Sequence, residues 1–202
     1  DGTIRNNIIT GNSASYGGGL ESCRGMIENN TICDNSAEYS AGGLHYCRGT
    51  VVNCVIWENR GFGQLSSSSL PSYSCIRAWS GGGQGNISDY PYFVHAARGD
   101  FHLKSWSPCI DAGAPQSPFR NEPDPNGGRI NMGAYGNTPE ATSKSPDEDD
   151  DGLPDDWEME SFAGLRQERN DDADEDLISN IEEYRRGLSP TTPAGVWYVD
   201  GA

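Results

Sequence analysis

An internal repeat of about 23 residues constrains the fold of this chain more than any other feature. Three similar stretches begin at Gly2, Gly25 and Gly49, spaced 23 and then 24 residues apart. Between them, Gly18-Gly19-Leu20 matches Gly42-Gly43-Leu44. Short β-branched strands separated by Gly and Asn turns exclude helical repeats, and one period has room for about three such strands. We therefore predict the stacked coils of a parallel β-solenoid.

In such a stack, equivalent residues of successive coils lie ~4.8 Å apart and form ladders. The repeat predicts three interior apolar ladders, namely Ile4/Ile27/Val51, Ile9/Ile32/Ile56 and Leu20/Leu44. It also predicts two asparagine ladders at the turns, Asn6/Asn29/Asn53 and Asn12/Asn35/Asn59. Asparagine suits these turns because it tolerates a left-handed backbone and its amide can form hydrogen bonds along the stack.

The repeat resembles right-handed parallel β-helix proteins of the pectate-lyase-like superfold. The stretch from Asn12 to Leu20, of the form N-x-A-x-x-G-G-G-L, resembles repeats of bacterial surface β-helices. Residues 73–135 resemble the terminal segment that closes the open end of such solenoids. The resemblance covers residues 1–140 and implies an all-β fold with a C-terminal cap.

Two acidic stretches later in the chain have the spacing of calcium-binding loops. Oxygen-bearing side chains stand at positions 1, 3, 5 and 9 of twelve, glutamate stands at position 12, and position 7 offers its carbonyl, as a cation with 6–8 oxygen ligands requires. In the first loop these positions are Asp147, Asp149, Asp151, Leu153, Asp155 and Glu158. In the second they are Asp172, Asp174, Asp176, Ile178, Asn180 and Glu183. The alternative, a disordered acidic linker, does not explain why both loops keep this register.

Short helical patterns follow both loops, at Trp157–Phe162 and Ile181–Tyr184, with apolar residues three or four apart that can pack together. Residues 147–187 resemble the EF-hand-like loops of dockerins and thrombospondin type 3 repeats, which implies a small helical module binding two calcium ions. Leu177 departs from that pattern because it stands where glycine is expected. We therefore expect the second site to be weaker or distorted.

The charge of the chain is concentrated in this acidic segment. Residues 147–187 hold 17 of the 30 acidic and 4 of the 14 basic residues, a net charge of −13 within a total of −16. This distribution argues against a nucleic-acid partner, which needs clustered Lys and Arg. No apolar run approaches the ~20 residues of a membrane span. Calcium loops and six cysteines both suit an extracellular or cell-surface location.

Three regions follow from these patterns. We predict β-helix coils and cap over residues 1–140, a calcium-binding linker module over residues 141–195, and the start of a further domain at residues 196–202. Pro and Ser residues flank the acidic segment on both sides, as is usual for linkers. The chain begins in the middle of a repeat, so we expect it to be part of a longer bacterial protein.

The coils offer few candidates for chemistry. Asp34 and Glu58 fall at equivalent positions and, with Arg60 nearby, could form a small acidic site or be solvated turn residues. Arg24 and Arg48 also stack, which is unusual for a purely structural pair and could serve an anionic sugar. These four residues, Asp34, Glu58, Arg24 and Arg48, form a candidate ligand face. Cys23 and Cys47 lie on adjacent coils, where either a disulfide or two packed thiols would fit. We identify no catalytic residue.

Three functions remain open at this point. The favoured hypothesis is a non-catalytic segment of a secreted or cell-surface protein, with a rigid β-helix stalk or carbohydrate-binding surface and a calcium-stabilised joint to further domains of the same chain. The second is the C-terminal end of a polysaccharide lyase or glycoside hydrolase whose catalytic coils lie upstream. The third is a dockerin-like module that recruits a partner protein.

Overall fold

The computed structural model describes residues 2–194, and its organising feature is a parallel β-solenoid of about three turns. The prediction for residues 196–202 lies outside the described residues. The strands of the coils are short, and their order is β1 (Thr3–Arg5), β2 (Ile8–Thr10), β3 (Ser13–Ala14), β4 (Leu20–Glu21), β5 (Met26–Glu28), β6 (Thr31–Cys33), β7 (Ser36–Ala37), β8 (Leu44–His45), β9 (Val51–Val52), β10 (Val55–Trp57), β11 (Leu65–Ser66) and β12 (Cys75–Ile76). Such short strands are stable only because each is paired with its equivalents in neighbouring coils.

Stacking of the coils produces parallel sheets in the order β1-β5-β9, β2-β6-β10-β12, β4-β8-β11 and β3-β7. The register confirms the three apolar ladders, since Ile4 pairs with Ile27, Ile9 with Ile32, and Leu20 with Leu44. Their side chains form a buried cluster inside the coils that includes Ile27, Ile32, Leu44, Val51, Ile56 and Ile76. The interior is therefore the one that the repeat predicts.

A further partial coil extends the solenoid beyond the three repeats visible in the sequence. Leu65 pairs with Leu44 and Ile76 with Ile56, so β11 and β12 continue two of the sheets. The spacing shortens there, to 21 residues between His45 and Ser66. A constant period of 23 or 24 residues does not find this coil because its connecting turn is shorter.

Left-handed residues mark three corners of each coil. One corner consists of Asn6, Asn29 and Asn53, with φ of 54°, 50° and 54°, as the sequence predicts. At the next corner the left-handed residues are Gly11, Asp34 and Glu58, each preceding an asparagine of the second ladder. The third corner contains Ser22, Tyr46 and Ser67. Asn12, Asn35 and Asn59 themselves are not left-handed, but their side chains form the predicted hydrogen bonds along the stack, from Asn12 to Asn35 and from Asn35 to Asn59.

The Gly-Gly-Leu motif of the repeat reflects a close approach of two backbones. A Cβ atom at Gly18 would collide with the carbonyl group of Ser36, and one at Gly42 with that of Arg60. Glycine is needed at these positions because neighbouring turns leave no room for a side chain.

A second hydrophobic cluster lies outside the coils. Trp57, Val55 and Cys75 face outward from the four-stranded sheet and pack against Phe101 and Leu103. Those last two residues belong to an antiparallel pair of strands, β13 (Phe93–His95) and β14 (Asp100–Leu103), joined by a 3₁₀ turn at Ala96–Arg98. The terminal segment thus covers one outer face of the solenoid. Closure of its open end stays a prediction.

The corner asparagines hold the rest of this segment against the coils. The side-chain amide of Asn6 donates to the carbonyl groups of Ala134 and Gly136, and that of Asn29 donates to Asn131 and Gly133. Because these partners lie more than 100 residues away in sequence, the repeat gives no sign of them.

The chain divides into two units, the first ending at Lys144 and the second beginning at Ser145. The second unit contains the two helices, α1 (Asp155–Phe162) and α2 (Asn180–Arg186). The rings of Trp157 and Tyr184 are 5.5 Å apart, so the helices pack through their aromatic residues as the sequence predicts. No helix among residues 2–194 is long and apolar enough to cross a membrane.

Candidate metal centre

The two acidic loops have the same backbone conformation. Position 4 is left-handed in both, at Asp150 (φ 56°) and Glu175 (φ 61°). Position 6 is also left-handed in both, at Gly152 (φ 91°) and Leu177 (φ 73°). Two reversals at these positions curl each loop so that the alternate side chains at positions 1, 3 and 5 come together.

Equivalent hydrogen bonds stabilise both loops. The N–H group at position 6 donates to the aspartate at position 1, from Gly152 to Asp147 at 3.2 Å and from Leu177 to Asp172 at 2.8 Å. The N–H group at position 7 donates to the aspartate at position 5, at 2.7 Å in the first loop and 2.9 Å in the second. Each loop is thus held closed by its own carboxylates, in a register that simple charge repulsion would not produce.

The two helices begin at equivalent positions of the two loops. α1 starts at Asp155 and α2 at Asn180, which is position 9 of each loop. The N–H groups of these two residues donate to the carbonyl groups just before position 1, those of Pro146 and Asp171. One helical turn further, Glu158 and Glu183 lie on the same face as position 9, since residues three apart on a helix are neighbours.

Buried, unpaired oxygen atoms are the most informative feature of the centre. Glu158 and Glu183 are 0% exposed, and neither carboxylate has a hydrogen-bond partner among the described residues. Both oxygens of Asp174, Oδ2 of Asp151 and Oδ1 of Asn180 are also buried atoms without a hydrogen-bond partner among the described residues. A buried carboxylate without a donor or counter-charge is costly. These oxygens are therefore suited to bind a cation.

The carboxylates converge within the reach of one ion per loop. Oxygen atoms of Asp149, Asp151 and Glu158 lie within 4.8 Å of one another. The same limit holds for the group Asp147, Asp149 and Asp155, and for the group Asp172, Asp174 and Asp176. Calcium binds oxygen at 2.3–2.6 Å, so oxygens on opposite sides of one ion are about 5 Å apart.

Electrostatics support the same conclusion. Burial, followed by the negative charges of Asp151 and Asp149, raises the pKa of Glu158 to about 7. Burial, followed by the charges of Asp174 and Asp176, raises the pKa of Glu183 to about 7. A negative charge on Glu158 or Glu183 is thus unfavourable in the buried centre, and a bound divalent cation would compensate it.

Arg169 approaches the first loop from the segment between the helices. Its Nη1 atom lies 2.9 Å from where a Cβ atom at Gly152 would be. Sequence spacing does not single out this arginine, because its position depends on how the segment between the helices folds back.

The carboxylate pair predicted on the coils is exposed. Asp34 and Glu58 occupy equivalent corner positions, as the repeat indicates. Glu58 accepts a hydrogen bond at 2.5 Å from Arg77, and both side chains are about half-exposed. Arg77 is therefore the arginine that pairs with this carboxylate, where the sequence suggested Arg60. This ion pair is a surface interaction rather than an enclosed acidic site.

The six cysteines are free thiols in the structure. The Cys47 thiol interacts with Cys23 and also donates to the carbonyl oxygens of Leu20 and His45. Burial is the main cause that raises the pKa of Cys47 to about 12, so this thiol is a poor nucleophile. A disulfide between Cys23 and Cys47 stays a prediction. Cys75 and Cys109 also interact with each other, a pairing that the sequence analysis did not identify.

Comparison of the chain with protein-family models, with curated proteins and with solved structures finds no match. The function proposed below therefore depends on the residues of the two loops and on their geometry.

Proposed function

We propose that this chain is a non-catalytic segment of a secreted or cell-surface protein, and that each acidic loop binds one calcium ion. In this proposal the β-solenoid is a rigid stalk of the right-handed β-helix type. The segment after β12 terminates the coils, a role supported by its cover over their outer face. The calcium loops form a joint between the solenoid and further domains.

The observation that carries the proposal is the pair of buried glutamates. Glu158 and Glu183 have four carboxylate oxygens without a hydrogen-bond partner, next to aspartates whose other atoms are fixed by the loop backbone. Calcium would be bound by these glutamates, by the aspartates at positions 1, 3 and 5, by the carbonyl group at position 7 and by the side chain at position 9. Binding would offset mutual repulsion and make the acidic segment compact.

Calcium is favoured over magnesium because of the number of oxygens. Six side chains or carbonyl groups per loop, one of them a glutamate able to bind through both oxygens, suit a flexible shell of 6–8 ligands. Magnesium usually keeps several water molecules and uses only one or two carboxylates. The proposal of an extracellular location is consistent with this, since calcium is abundant there.

Isothermal titration calorimetry on the full chain tests the proposal. We expect two calcium ions to bind, and Glu158→Gln to weaken one of them by at least about tenfold, which is 1.4 kcal/mol. Glu160→Gln is the matched control, because Glu160 is an exposed residue of the same helix. The proposal is wrong if no calcium binds, or if the Glu158 and Glu160 variants bind it equally well.

A further inference from the structure

Two arginines on the solenoid are stacked without a carboxylate partner. The N–H group of Arg48 donates to the carbonyl group of Cys23 at 2.7 Å, which places Arg24 and Arg48 at equivalent positions of adjacent coils. Both side chains are exposed, and neither forms an ion pair with any carboxylate in residues 2–194. Two neighbouring positive charges repel each other. In a chain with a net charge of −16, acidic partners are plentiful, yet none is placed here.

A row of aromatic rings, three exposed tyrosines and the buried ring of His45, leads to these arginines. Tyr16 and Tyr39 are one coil apart, and their ring centroids are separated by 5.7 Å. The ring of Tyr16 stacks on His45 at 5.6 Å, and His45 contacts Tyr46 edge-on at 4.5 Å. The guanidinium group of Arg48 lies over Tyr46, at 5.5 Å from the ring centroid.

The tyrosines of this row are accessible although they are large. Tyr16, Tyr39 and Tyr46 are 47%, 54% and 45% exposed. Their backbone is held by coil pairing, and His45 is fixed by a 2.8 Å hydrogen bond between its Nδ1 atom and Oγ of Ser66. Rigid aromatic side chains lose little conformational freedom on binding, and this favours their use as ligand contacts.

Two shallow depressions lie beside the arginines. One, of about 530 Å³, is lined by Ser22, Arg24, Tyr46 and Arg48. The other, of about 550 Å³, extends along the same two arginines to Thr50, Ser69 and Ser72. Volumes of 300–1,000 Å³ accommodate small ligands. Their lining combines guanidinium donors, hydroxyl groups and one aromatic face.

We propose that this surface, formed by Tyr39, Tyr16, His45, Tyr46, Arg48 and Arg24, binds a carboxylated oligosaccharide. The two guanidinium groups bind a sugar carboxylate through paired N–H donors, for which arginine geometry is well suited. The tyrosine rings contact the apolar faces of the neighbouring sugar rings, and serine and threonine hydroxyls bond to sugar hydroxyls.

The distribution of charge determines the direction in which the ligand lies along the site. Glu38 interacts with the hydroxyl group of Tyr39, and Glu21 is the register neighbour of His45. The carboxylate of the ligand therefore belongs at the arginine end, and neutral ring contacts belong at the tyrosine end. A polyphosphate chain suits this surface poorly, because its charges would also meet the two glutamates.

Titration with acidic oligosaccharides tests the proposal. The probes are hexamers of galacturonic acid and of mannuronic acid, with methyl-esterified galacturonate hexamers as the uncharged match. A chelator is present throughout, so that the calcium loops do not contribute and failure of the calcium proposal leaves this result unaffected. We expect at least one acidic hexamer to bind and the esterified one to bind at least about tenfold more weakly.

Substitutions of the arginines and of one tyrosine test whether the ligand binds at this surface. Arg24→Gln/Arg48→Gln is expected to reduce affinity at least tenfold, and Tyr16→Ala several-fold. Arg60→Gln, an exposed arginine elsewhere on the coils, is the control and should have no effect. The proposal fails if neither acidic hexamer binds, if the esterified hexamer binds equally well, or if the double variant binds like the Arg60 control. Equal binding of oligothymidylate would also overturn it.

Discussion

Leu177 shows how one residue can distinguish two otherwise equivalent loops. It occupies the position of Gly152 with φ of 73°, and its side chain is 91% exposed. A left-handed conformation costs a residue with a Cβ atom roughly 1–2 kcal/mol, whereas glycine adopts it freely. Because the Leu177 side chain is exposed, apolar burial offsets little of this conformational cost. The second loop is therefore strained where the first is not.

Leu177→Gly should strengthen calcium binding at the second loop. Relief of about 1 kcal/mol corresponds to roughly a fivefold gain in affinity. Calorimetry in a Glu158→Gln background, which weakens the first loop, isolates the effect. An unchanged or lower affinity would show that the backbone at Leu177 does not limit this site.

The reciprocal change serves as the control. Gly152→Leu imposes a Cβ atom on a residue with φ of 91° and pushes it toward Arg169. It should weaken the first loop while leaving the second unchanged.

At the scale of the structural element, the asparagine ladders determine how coils stack. Asn35 is 0% exposed, and its amide donates to the carbonyl groups of Ile9 (2.8 Å) and Cys33 (3.0 Å). Its oxygen accepts from the N–H group and the side chain of Asn12. Asn59 repeats the pattern one coil later, and Gln64 supplies the final oxygen acceptor. The ladder thus satisfies backbone groups that strand pairing cannot reach.

A parallel ladder of mixed composition runs beside it. Asn7, Asn30, Cys54 and Ser74 occupy equivalent turns, and the side-chain oxygens of Asn30 and Ser74 accept N–H groups from the coil before. Only its first two members are asparagine, so the repeat does not reveal it as a ladder. Cysteine and serine can replace asparagine here because each also bonds to a nearby carbonyl group.

Asn35→Leu should destabilise the solenoid by about 3 kcal/mol. Leucine keeps the branching at Cγ but cannot form hydrogen bonds, so the buried polar groups that bond to Asn35 lose their partner, at a cost of roughly 1–3 kcal/mol each. Urea unfolding followed by circular dichroism measures the change. Asn12→Leu is the matched control, since Asn12 is exposed and should cost less than about 1 kcal/mol. Equal losses in the two variants would contradict the assigned role of the buried amide.

At the scale of the whole molecule, charge and apolar burial belong to different parts of the chain. The first unit contains both hydrophobic clusters. The segment 147–187, within the second unit, carries a net charge of −13 and has few buried apolar residues, among them Leu153 and Trp157. We therefore expect the folded state of this segment to depend on a bound cation more than that of the solenoid.

Calcium should accordingly stabilise only one of the two units. At a calcium concentration about 100 times the dissociation constant, binding raises the unfolding free energy of the unit by about 2.7 kcal/mol. Amide hydrogens that exchange only when the unit opens should then exchange roughly 100-fold more slowly. Hydrogen exchange read by mass spectrometry should show this protection in residues 147–187 and none in β6 and β10. Calcium-dependent protection of the coils, or its absence from both units, would contradict this expectation.

Much of the fold and of the candidate centre was determined by the sequence alone, because both depend on local periodicity. A period of 23 to 24 residues predicts parallel coils and their interior ladders, since stacking repeats the same environment once per coil. The two acidic loops are equally local, as all six candidate ligand positions of each lie within twelve residues. The repeat also aligns Tyr16 with Tyr39.

Only the tertiary structure decided which surfaces are covered and which groups find partners. Nothing in the repeat indicates that Phe101 packs on Trp57, that Ala134 donates to Thr31, or that Glu58 pairs with Arg77. The Ala134 and Thr31 contact spans 103 residues, and its geometry depends on how the whole terminal segment folds back. The burial of Glu158 and Glu183 is a property of the packed loops and helices. Spacing identifies these glutamates as candidate ligands, and packing leaves their oxygens without hydrogen-bond partners among the described residues.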